Sequence, residues 1–127
     1  ACTDSNYVYQ YGLPGTFAPI ADYDLLNRAV ETAKRQGTNV VVGNVLSSDV
    51  FYNANPNVND LWRSMGVLAV EMEAAALYMN AAKAGKKALC MLTISDHLYT
   101  NEFLSAEDRQ LGFGKMMEIA LETAVCQ

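Results

Sequence analysis

The sequence is poor in basic residues and in long apolar runs. Its 127 residues hold nine Lys and Arg against 14 Asp and Glu, which gives a net charge of −5 at pH 7. Because the few basic residues do not cluster, we expect no nucleic-acid-binding surface. No apolar run is long enough to span a bilayer, so we expect no membrane partner. Since no charged-then-apolar leader precedes a cleavage site, we expect a cytoplasmic protein.

Histidine and cysteine are also scarce, which argues against a metal site. One histidine, His97, cannot build a histidine-rich site, and its position beside Asp96 favours a structural role because neighbouring strand residues point to opposite faces. Cys2, Cys90 and Cys126 are odd in number and lack metal-ligand spacing. We therefore expect free, buried thiols, with neither disulfides nor a bound metal.

The composition that remains is that of one globular domain. Apolar residues make up 51% of the chain and charged residues 18%, values that exclude a disordered protein. With 127 residues, the chain is long enough for one domain with a core and too short for two comfortable ones.

Hydrophobic patterning predicts that strands alternate with helices. Apolar runs of strand length occur at residues 39–46, 67–70 and 88–94, and each precedes a helix-forming segment, which is typical of the α/β class. A weaker pattern predicts an edge strand at 1–10. Helices are expected at residues 23–36, capped by Asp22, and at 58–65, 72–84 and 105–125.

The junction between the second strand and its helix is the centre of the predicted site. Glu71 and Glu73 lie there, with Met72 between them. Ligands of open α/β sheets bind beyond the carboxyl ends of the strands, so these side chains are expected to face a ligand. The simpler alternative is that the two carboxylates stabilise the positive end of the helix dipole.

Two other strand ends add candidate side chains. Residues 47–52 and 95–96 follow the first and third predicted strands, and converging strand ends would form one pocket. Such a pocket suits a sugar joined to a flat base. Carboxylates accept hydrogen bonds from vicinal hydroxyls, Met and Phe cover apolar faces, and a further acid protonates a leaving group.

Each candidate also has a structural alternative. An aromatic residue such as Phe51 is more often part of a core than a platform for a base. Asp96 is equally suited to capping a turn. Arg109, in a helix of alternating charge, ordinarily pairs with Glu102 or Asp108 at the surface.

Four ordered motifs make the sequence resemble a known family. They are Gly-Asn-Val-Leu-Ser-Ser-Asp-Val-Phe-Tyr at 43–52, Val-Glu-Met-Glu-Ala-Ala at 70–75, Ser-Asp-His at 95–97 and Ala-Glu-Asp-Arg-Gln at 106–110. With these motifs and the opening Ala-Cys-Thr-Asp-Ser, essentially the whole chain resembles the purine nucleoside phosphorylases of the hexameric, low-specificity bacterial type.

The resemblance implies an activity, a fold and an assembly. The activity is reversible phosphorolysis of purine ribo- and deoxyribonucleosides to free base and pentose 1-phosphate, a pentosyltransferase reaction of purine salvage. Inorganic phosphate is the implied co-substrate, and no cofactor is implied. The fold is an α/β three-layer sandwich with a central mixed sheet flanked by helices. The implied assembly is a homo-oligomer, a hexamer built as a trimer of dimers.

The same resemblance implies roles for individual residues. Glu73 would bind the ribose hydroxyls, Met72 would pack against the sugar and Glu71 would lie beside them. Asp96 would be the general acid that protonates purine N7, with Arg109 as its helper. The base pocket would be formed by Phe51, Val70, Ser48 and Ser95.

The acid role implied for Asp96 depends on where Arg109 lies. A guanidinium close to Asp96 favours the ionised carboxylate, which has no proton to give. We therefore expect Arg109 to stay back in the resting enzyme and to approach as the proton leaves. Bending of its helix near Gly112 and Gly114 would permit this movement.

The chain also departs from the family pattern. It lacks the family's Gly-rich, arginine-bearing phosphate loop and the histidine that a neighbouring subunit lends to the ribose. We therefore expect residues 1–127 to be the C-terminal half of a phosphorylase domain, with the missing N-terminal half as a partner. Alone, the chain is expected to be inactive and poorly stable, because a sheet cut through its middle exposes apolar faces and an edge.

Three other functions compete with the phosphorylase. Nucleosidases that hydrolyse methylthioadenosine or adenosylhomocysteine share the Val-Glu-Met-Glu and Ser-Asp motifs. Uridine phosphorylase fits less well, because Asp96 suits protonation of a purine nitrogen. A non-catalytic nucleoside-binding fragment is the third alternative.

Overall fold

The computed structural model describes residues 1, 6–100 and 102–125, without the side chains of residues 110–112. It divides the chain into two compact units. Unit 1 contains Ala1–Ala21 and Val41–Ala88, and unit 2 contains Asp22–Val40 and Leu89–Gln127.

A two-stranded parallel sheet forms the centre of unit 1. Strand β1 (Asn44–Ser47) pairs with β2 (Val67–Glu71), and Ser47 lies opposite Glu71 in the register. Both strands were predicted, although β1 begins later than the expected residue 39. Because the strands are parallel, their carboxyl ends lie at the same edge of the sheet, where the sequence places Glu71.

Three helices complete unit 1, namely α1 (Tyr7–Gln10), α3 (Val58–Ser64) and α4 (Ala74–Lys83). The last two were predicted. Gly85 follows α4 with a φ of +64°, a conformation that glycine adopts without strain. The buried part of this unit consists mainly of small or flexible apolar side chains, namely Leu46, Ala74, Ala75 and Met79.

The edge strand predicted at 1–10 is wrong for residues 7–10, which form helix α1. Tyr7 and Tyr11 are one helical turn apart and their rings meet at 5.7 Å, while the Tyr9 amide donates to the Asn6 carbonyl at 3.0 Å. These local contacts favour a helical turn. Ala1 does pair with β1, since the Ser47 amide donates to its carbonyl at 2.9 Å. Residues 2–5 lie outside the described part.

Unit 2 is built on two packed helices, α2 (Tyr23–Arg35) and α5 (Ala106–Val125). The Asp22 carboxylate accepts a hydrogen bond from the Leu25 amide at 3.0 Å, which confirms the predicted cap of α2. Ser105 caps α5 in the same manner, accepting from the Asp108 amide at 3.0 Å. The buried side chains of the two helices are Ala29, Thr32, Ala33, Ile119 and Thr123.

The third predicted strand, at residues 88–94, is wrong. The structure assigns no strand to these residues, and Ile94 is 58% exposed. A strand requires a hydrogen-bonded neighbour. Within the described residues of unit 2, the only bridge of this kind is isolated and joins Asp96 to Phe103. The α/β class is nevertheless confirmed, as a partial fold of helices and a small parallel sheet.

Candidate active site

The strand ends of unit 1 are tied to helix α4 through Glu71. One oxygen of its carboxylate accepts hydrogen bonds from the amides of Glu73 at 2.7 Å and Ala74 at 2.6 Å. The other oxygen accepts from the hydroxyl of Ser47, and that hydroxyl oxygen accepts from the Ala75 amide at 2.8 Å. The carboxylate thus caps the helix and joins it to both strands. The predicted alternative, stabilisation of the helix N-terminus, describes Glu71 well.

Met72 and Glu73 occupy a more open position than Glu71. Glu73 is the residue that precedes α4, and its side chain is exposed and makes no capping hydrogen bond. Met72 is also exposed, at 39%. These two side chains are therefore accessible to a ligand, and the roles in ribose binding that the resemblance implies for Glu71, Met72 and Glu73 stay predictions.

A cavity of about 340 Å³ lies beside this junction in unit 1. Met72 lines it, whereas Glu71 and Glu73 do not. Its volume is at the lower end of the range for small-molecule sites. The rest of its lining comes from the end of β1, from helix α4 and from the region of α1, namely Ser47, Asp49, Ala75, Ala76, Asn6, Tyr7 and Gln10.

Three predicted base-pocket residues of unit 1 differ in their surroundings. Phe51 is 76% exposed and meets the ring of Tyr52 edge to face at 4.9 Å, so it is not the core residue of the structural alternative. Val70 is 41% exposed, on the face of β2 that also carries Leu68. Ser48 is buried, and its hydroxyl donates to the Val50 carbonyl at 3.0 Å, which closes the turn after β1.

The predicted acid and its helper are in direct contact within unit 2. The Arg109 guanidinium donates to one oxygen of Asp96 at 2.8 Å, and the Ser95 hydroxyl donates to the other at 2.7 Å. The expectation that Arg109 stays back is therefore wrong for this structure. The partner of Arg109 is thus Asp96, whereas the two surface partners expected for it accept from other hydroxyls, Asp108 from Ser105 and Glu102 from Thr100. The reason is positional, since the first turn of α5 brings Arg109 to the end of the segment 88–96.

His97 has the structural role that was favoured for it. Its Nδ1 accepts hydrogen bonds from the amides of Tyr99 at 3.3 Å and Thr100 at 3.2 Å. Its own amide donates to the Glu102 carbonyl at 2.7 Å. The imidazole therefore stabilises the turn that follows it through its two bonds to backbone amides.

Sequence reasoning missed the part that Ser47 plays. It placed Ser47 at a strand end but gave it no function, since the bond to Glu71 depends on the register of two strands 24 residues apart. The signal that could have found it is the parallel pairing itself, which sets the last residues of β1 and β2 side by side.

The described residues contain neither a candidate metal site nor a candidate membrane span. No group of three or more His, Cys, Asp or Glu side chains there is placed to hold a metal ion. None of the helices described has the length and apolar character needed to cross a membrane. Cys90 is a half-buried thiol, whereas Cys2 and Cys126 lie outside the described residues.

Comparison with known proteins identifies relatives along the whole chain. The chain is 49% identical over 128 aligned residues to a purine nucleoside phosphorylase DeoD-type of Bacillus cytotoxicus, an alignment that covers 100% of this chain and 54% of the relative. The protein of the same name from Shewanella baltica is 49% identical, with 98% of this chain and 53% of the relative covered. That of Bacillus cereus is 48% identical, with 100% and 54% covered.

These relatives are longer than the chain, which spans about half of their length. The family model described as the phosphorylase superfamily matches residues 2–124. Since this match takes in nearly every residue from one end of the sequence to the other, the chain belongs to the phosphorylase superfamily.

Proposed function

We propose that the chain is the nucleoside-binding part of a purine nucleoside phosphorylase. The reaction is the reversible phosphorolysis of purine ribo- and deoxyribonucleosides to free base and pentose 1-phosphate. The observation that carries this proposal is the identity of 46–49% to phosphorylases of this name across the chain. Inorganic phosphate is the co-substrate, and no cofactor is needed for the chemistry described below.

The exposed pair at the end of β2 is proposed to hold the sugar. In phosphorolysis a phosphate oxygen bonds to the anomeric carbon while the bond from that carbon to the purine nitrogen breaks. The sugar gains positive character as this happens, so the Glu73 carboxylate stabilises the transition state besides accepting hydrogen bonds from the hydroxyls. Met72 covers the apolar side of the sugar from the wall of the cavity.

The purine leaves with the electron pair of the broken bond and must gain a proton. We propose that Asp96 supplies it to N7, which lowers the barrier to departure. The contacts of Asp96 with Arg109 and the Ser95 hydroxyl support this proposal, because both donors would stabilise the carboxylate that proton transfer leaves behind. Arg109 is proposed to withdraw when substrate binds and Asp96 is protonated.

The base is proposed to bind against Phe51 and Val70. Both side chains are exposed, and an aromatic ring offers a face on which a purine stacks. Ser48 contributes by stabilising the turn that carries Phe51, because its hydroxyl donates to the Val50 carbonyl and accepts from the Val50 amide. Ser95 acts through its hydrogen bond to Asp96.

A complete enzyme is proposed to require the other half of the subunit. The chain is about half as long as its relatives, and its motifs do not include a phosphate loop. Exposed apolar residues support the need for a partner. Leu68 of unit 1 is 57% exposed although it belongs to a parallel strand, a kind of strand that is ordinarily covered on both faces. Homo-oligomer formation and a cytoplasmic location remain predictions.

Phosphate dependence tests this function. The protein for the test is a chimera in which this chain is joined to the part of the Bacillus cytotoxicus relative that it does not cover. We expect the chimera to release hypoxanthine from inosine only when phosphate is present, with ribose 1-phosphate as the second product. Release without phosphate would identify a nucleosidase. Inosine binding measured by calorimetry without any release would identify a non-catalytic binding protein.

A further inference from the structure

We propose that Glu71 and Ser47 form a positioning pair that fixes Glu73 and Met72 for substrate, and that Glu71 is not itself a ribose ligand. This inference rests on the proposed function. It differs from the role that the resemblance implied, in which Glu71 lies beside the sugar-binding residues.

Most of the acceptor capacity of Glu71 is used within the protein, since three hydrogen bonds take up all but one of the about four lone-pair positions of its carboxylate. Its two carboxylate oxygens take hydrogen bonds from two backbone amides and from the Ser47 hydroxyl. A charged carboxylate makes such bonds stronger than a neutral acceptor does, and the start of a helix favours negative charge. Moving this carboxylate to a sugar hydroxyl would leave the amides of Glu73 and Ala74 without their partner, which is costly.

The Glu71–Ser47 pair accepts hydrogen bonds from the first backbone amides of helix α4. Of the first four helix amides, those of Glu73 and Ala74 bond the Glu71 carboxylate and that of Ala75 bonds the Ser47 hydroxyl. The first carbonyl-to-amide bond of the helix follows, from the Leu77 amide to the Glu73 carbonyl at 3.0 Å. Helix α4 is therefore attached at its first residues to the ends of both strands.

The geometry also fixes the backbone of Met72. The bond from the Glu73 amide to the Glu71 side chain closes a small ring that contains residue 72. Met72 lines the cavity, and Glu73 is exposed at the adjacent position. Loss of the ring would release the two residues proposed to hold the sugar, while their side chains stayed intact. The pair thus acts on substrate through Glu73 and Met72.

Kinetics of the chimera test this role. We expect Glu71→Gln to raise KM for inosine about five- to thirty-fold, because glutamine has a single acceptor oxygen for the three donors. We expect Ser47→Ala also to raise KM for inosine. The double variant Glu71→Gln/Ser47→Ala should have a KM for inosine no higher than that of the more impaired single variant. KM for phosphate should not change in any of them. A purely structural effect would lower the amount of active enzyme and leave KM for inosine unchanged.

A second cycle separates positioning from direct contact. If Glu71 acts only through Glu73 and Met72, adding Glu71→Gln to the double variant Glu73→Gln/Met72→Ala will cause little further loss in kcat/KM for inosine. A full further loss would show that Glu71 contacts the sugar and would overturn the inference. If the unaltered chimera shows no phosphate-dependent release, the proposed function fails instead. Thermal unfolding of each variant identifies any that do not fold. Because Glu71→Gln is isosteric and Ser47→Ala is a small change, the two variants test the positioning role independently.

Discussion

Asp96 is held by two donors, and its proposed role requires it to carry a proton at another stage of the reaction. Asp96→Asn retains the shape of the side chain but removes its acidic group. We expect kcat of the chimera for inosine to fall about 10²- to 10⁴-fold, with a small change in KM. The matched control is Glu107→Gln, which neutralises an exposed acid in the first turn of α5, the helix that carries Arg109. Retention of kcat within a few-fold in Asp96→Asn would exclude the acid role.

Arg109 is proposed to stabilise the carboxylate that proton transfer leaves behind. Its Nε is buried without a hydrogen-bond partner, so the contact with Asp96 is the bond that orients its guanidinium. We expect Arg109→Ala to lower kcat for both adenosine and inosine by about 100-fold. The two residues act as a unit, so the effects of Arg109→Ala and Asp96→Asn should not add. Unchanged turnover of both nucleosides in Arg109→Ala would contradict the proposal.

For individual residues, the sequence predicts the positions of the candidate side chains better than it predicts their contacts. The position of Glu71 and Glu73 at a strand end follows from hydrophobic patterning. That Glu71 caps α4 while Glu73 is exposed does not follow from patterning, because the use of Glu71 as a cap depends on Ser47 in another strand. The contact of Arg109 with Asp96 similarly depends on how α5 packs, and local sequence carries no signal for it.

Helix α2 depends on its cap. The Asp22 carboxylate bonds the Leu25 amide at 3.0 Å and lies near the positive end of the helix dipole. We expect Asp22→Ala to lower the free energy of unfolding by about 1 kcal/mol, measured by urea denaturation of the chimera. Asp22→Asn keeps an acceptor oxygen and is the matched control. Equal destabilisation by the two substitutions would contradict a capping role.

The contact between α2 and α5 is expected to respond to acid. The pKa of Glu122 is lowered from its ordinary value of 4.5 by the hydrogen bond from Arg35 and then by that from Gln36. A lowered pKa means that the stabilisation is present above pH 4.5 and is lost as pH falls through the folded value. The effect should be small and reduced by salt, because both side chains of the ion pair are exposed.

Glu122→Gln tests this pH dependence. The difference in urea midpoint between the chimera and this variant should be greatest near neutral pH and should shrink below pH 4.5, the ordinary value for this group. The matched control is Glu118→Gln, one helical turn earlier on α5 and exposed. A difference that persists in acid, or one that the control reproduces, would show that Glu122 does not stabilise the contact through its charge.

Elements with local signals were predicted, and elements without them were not. Helices α2 and α5 each have a cap and a hydrophobic face within one segment, and both were found. Residues 88–94 have the composition of a buried strand, but a strand requires a hydrogen-bonded neighbouring strand, and the structure assigns none of these residues to a strand. Helix α1 was missed because four residues provide too short a pattern.

At the scale of the molecule, both units expose apolar side chains that a complete α/β domain would cover. Leu68 and Val70 are exposed in unit 1, and Leu92 and Ile94 are exposed in unit 2. Side chains of this type lose roughly 1.5–3 kcal/mol each when they stay in water instead of being buried. Because the chain spans about half the length of the relatives that it matches, we propose that another segment covers these side chains.

That residues 1–127 are half of a domain stays a prediction, which rests on the motifs that the sequence lacks. The sequence does not indicate which apolar side chains are exposed, because burial depends on contacts between residues that are far apart along the chain.

The most direct test of the account compares the chain alone with the chimera. Each protein is first checked by intact mass, and the chain alone should be a single species of 13.9 kDa. Hypoxanthine release from inosine is then measured with and without phosphate. We predict phosphate-dependent release by the chimera and none by the chain alone. Phosphorolysis by the 13.9 kDa chain alone, or a folded chimera that releases no base, would contradict the account.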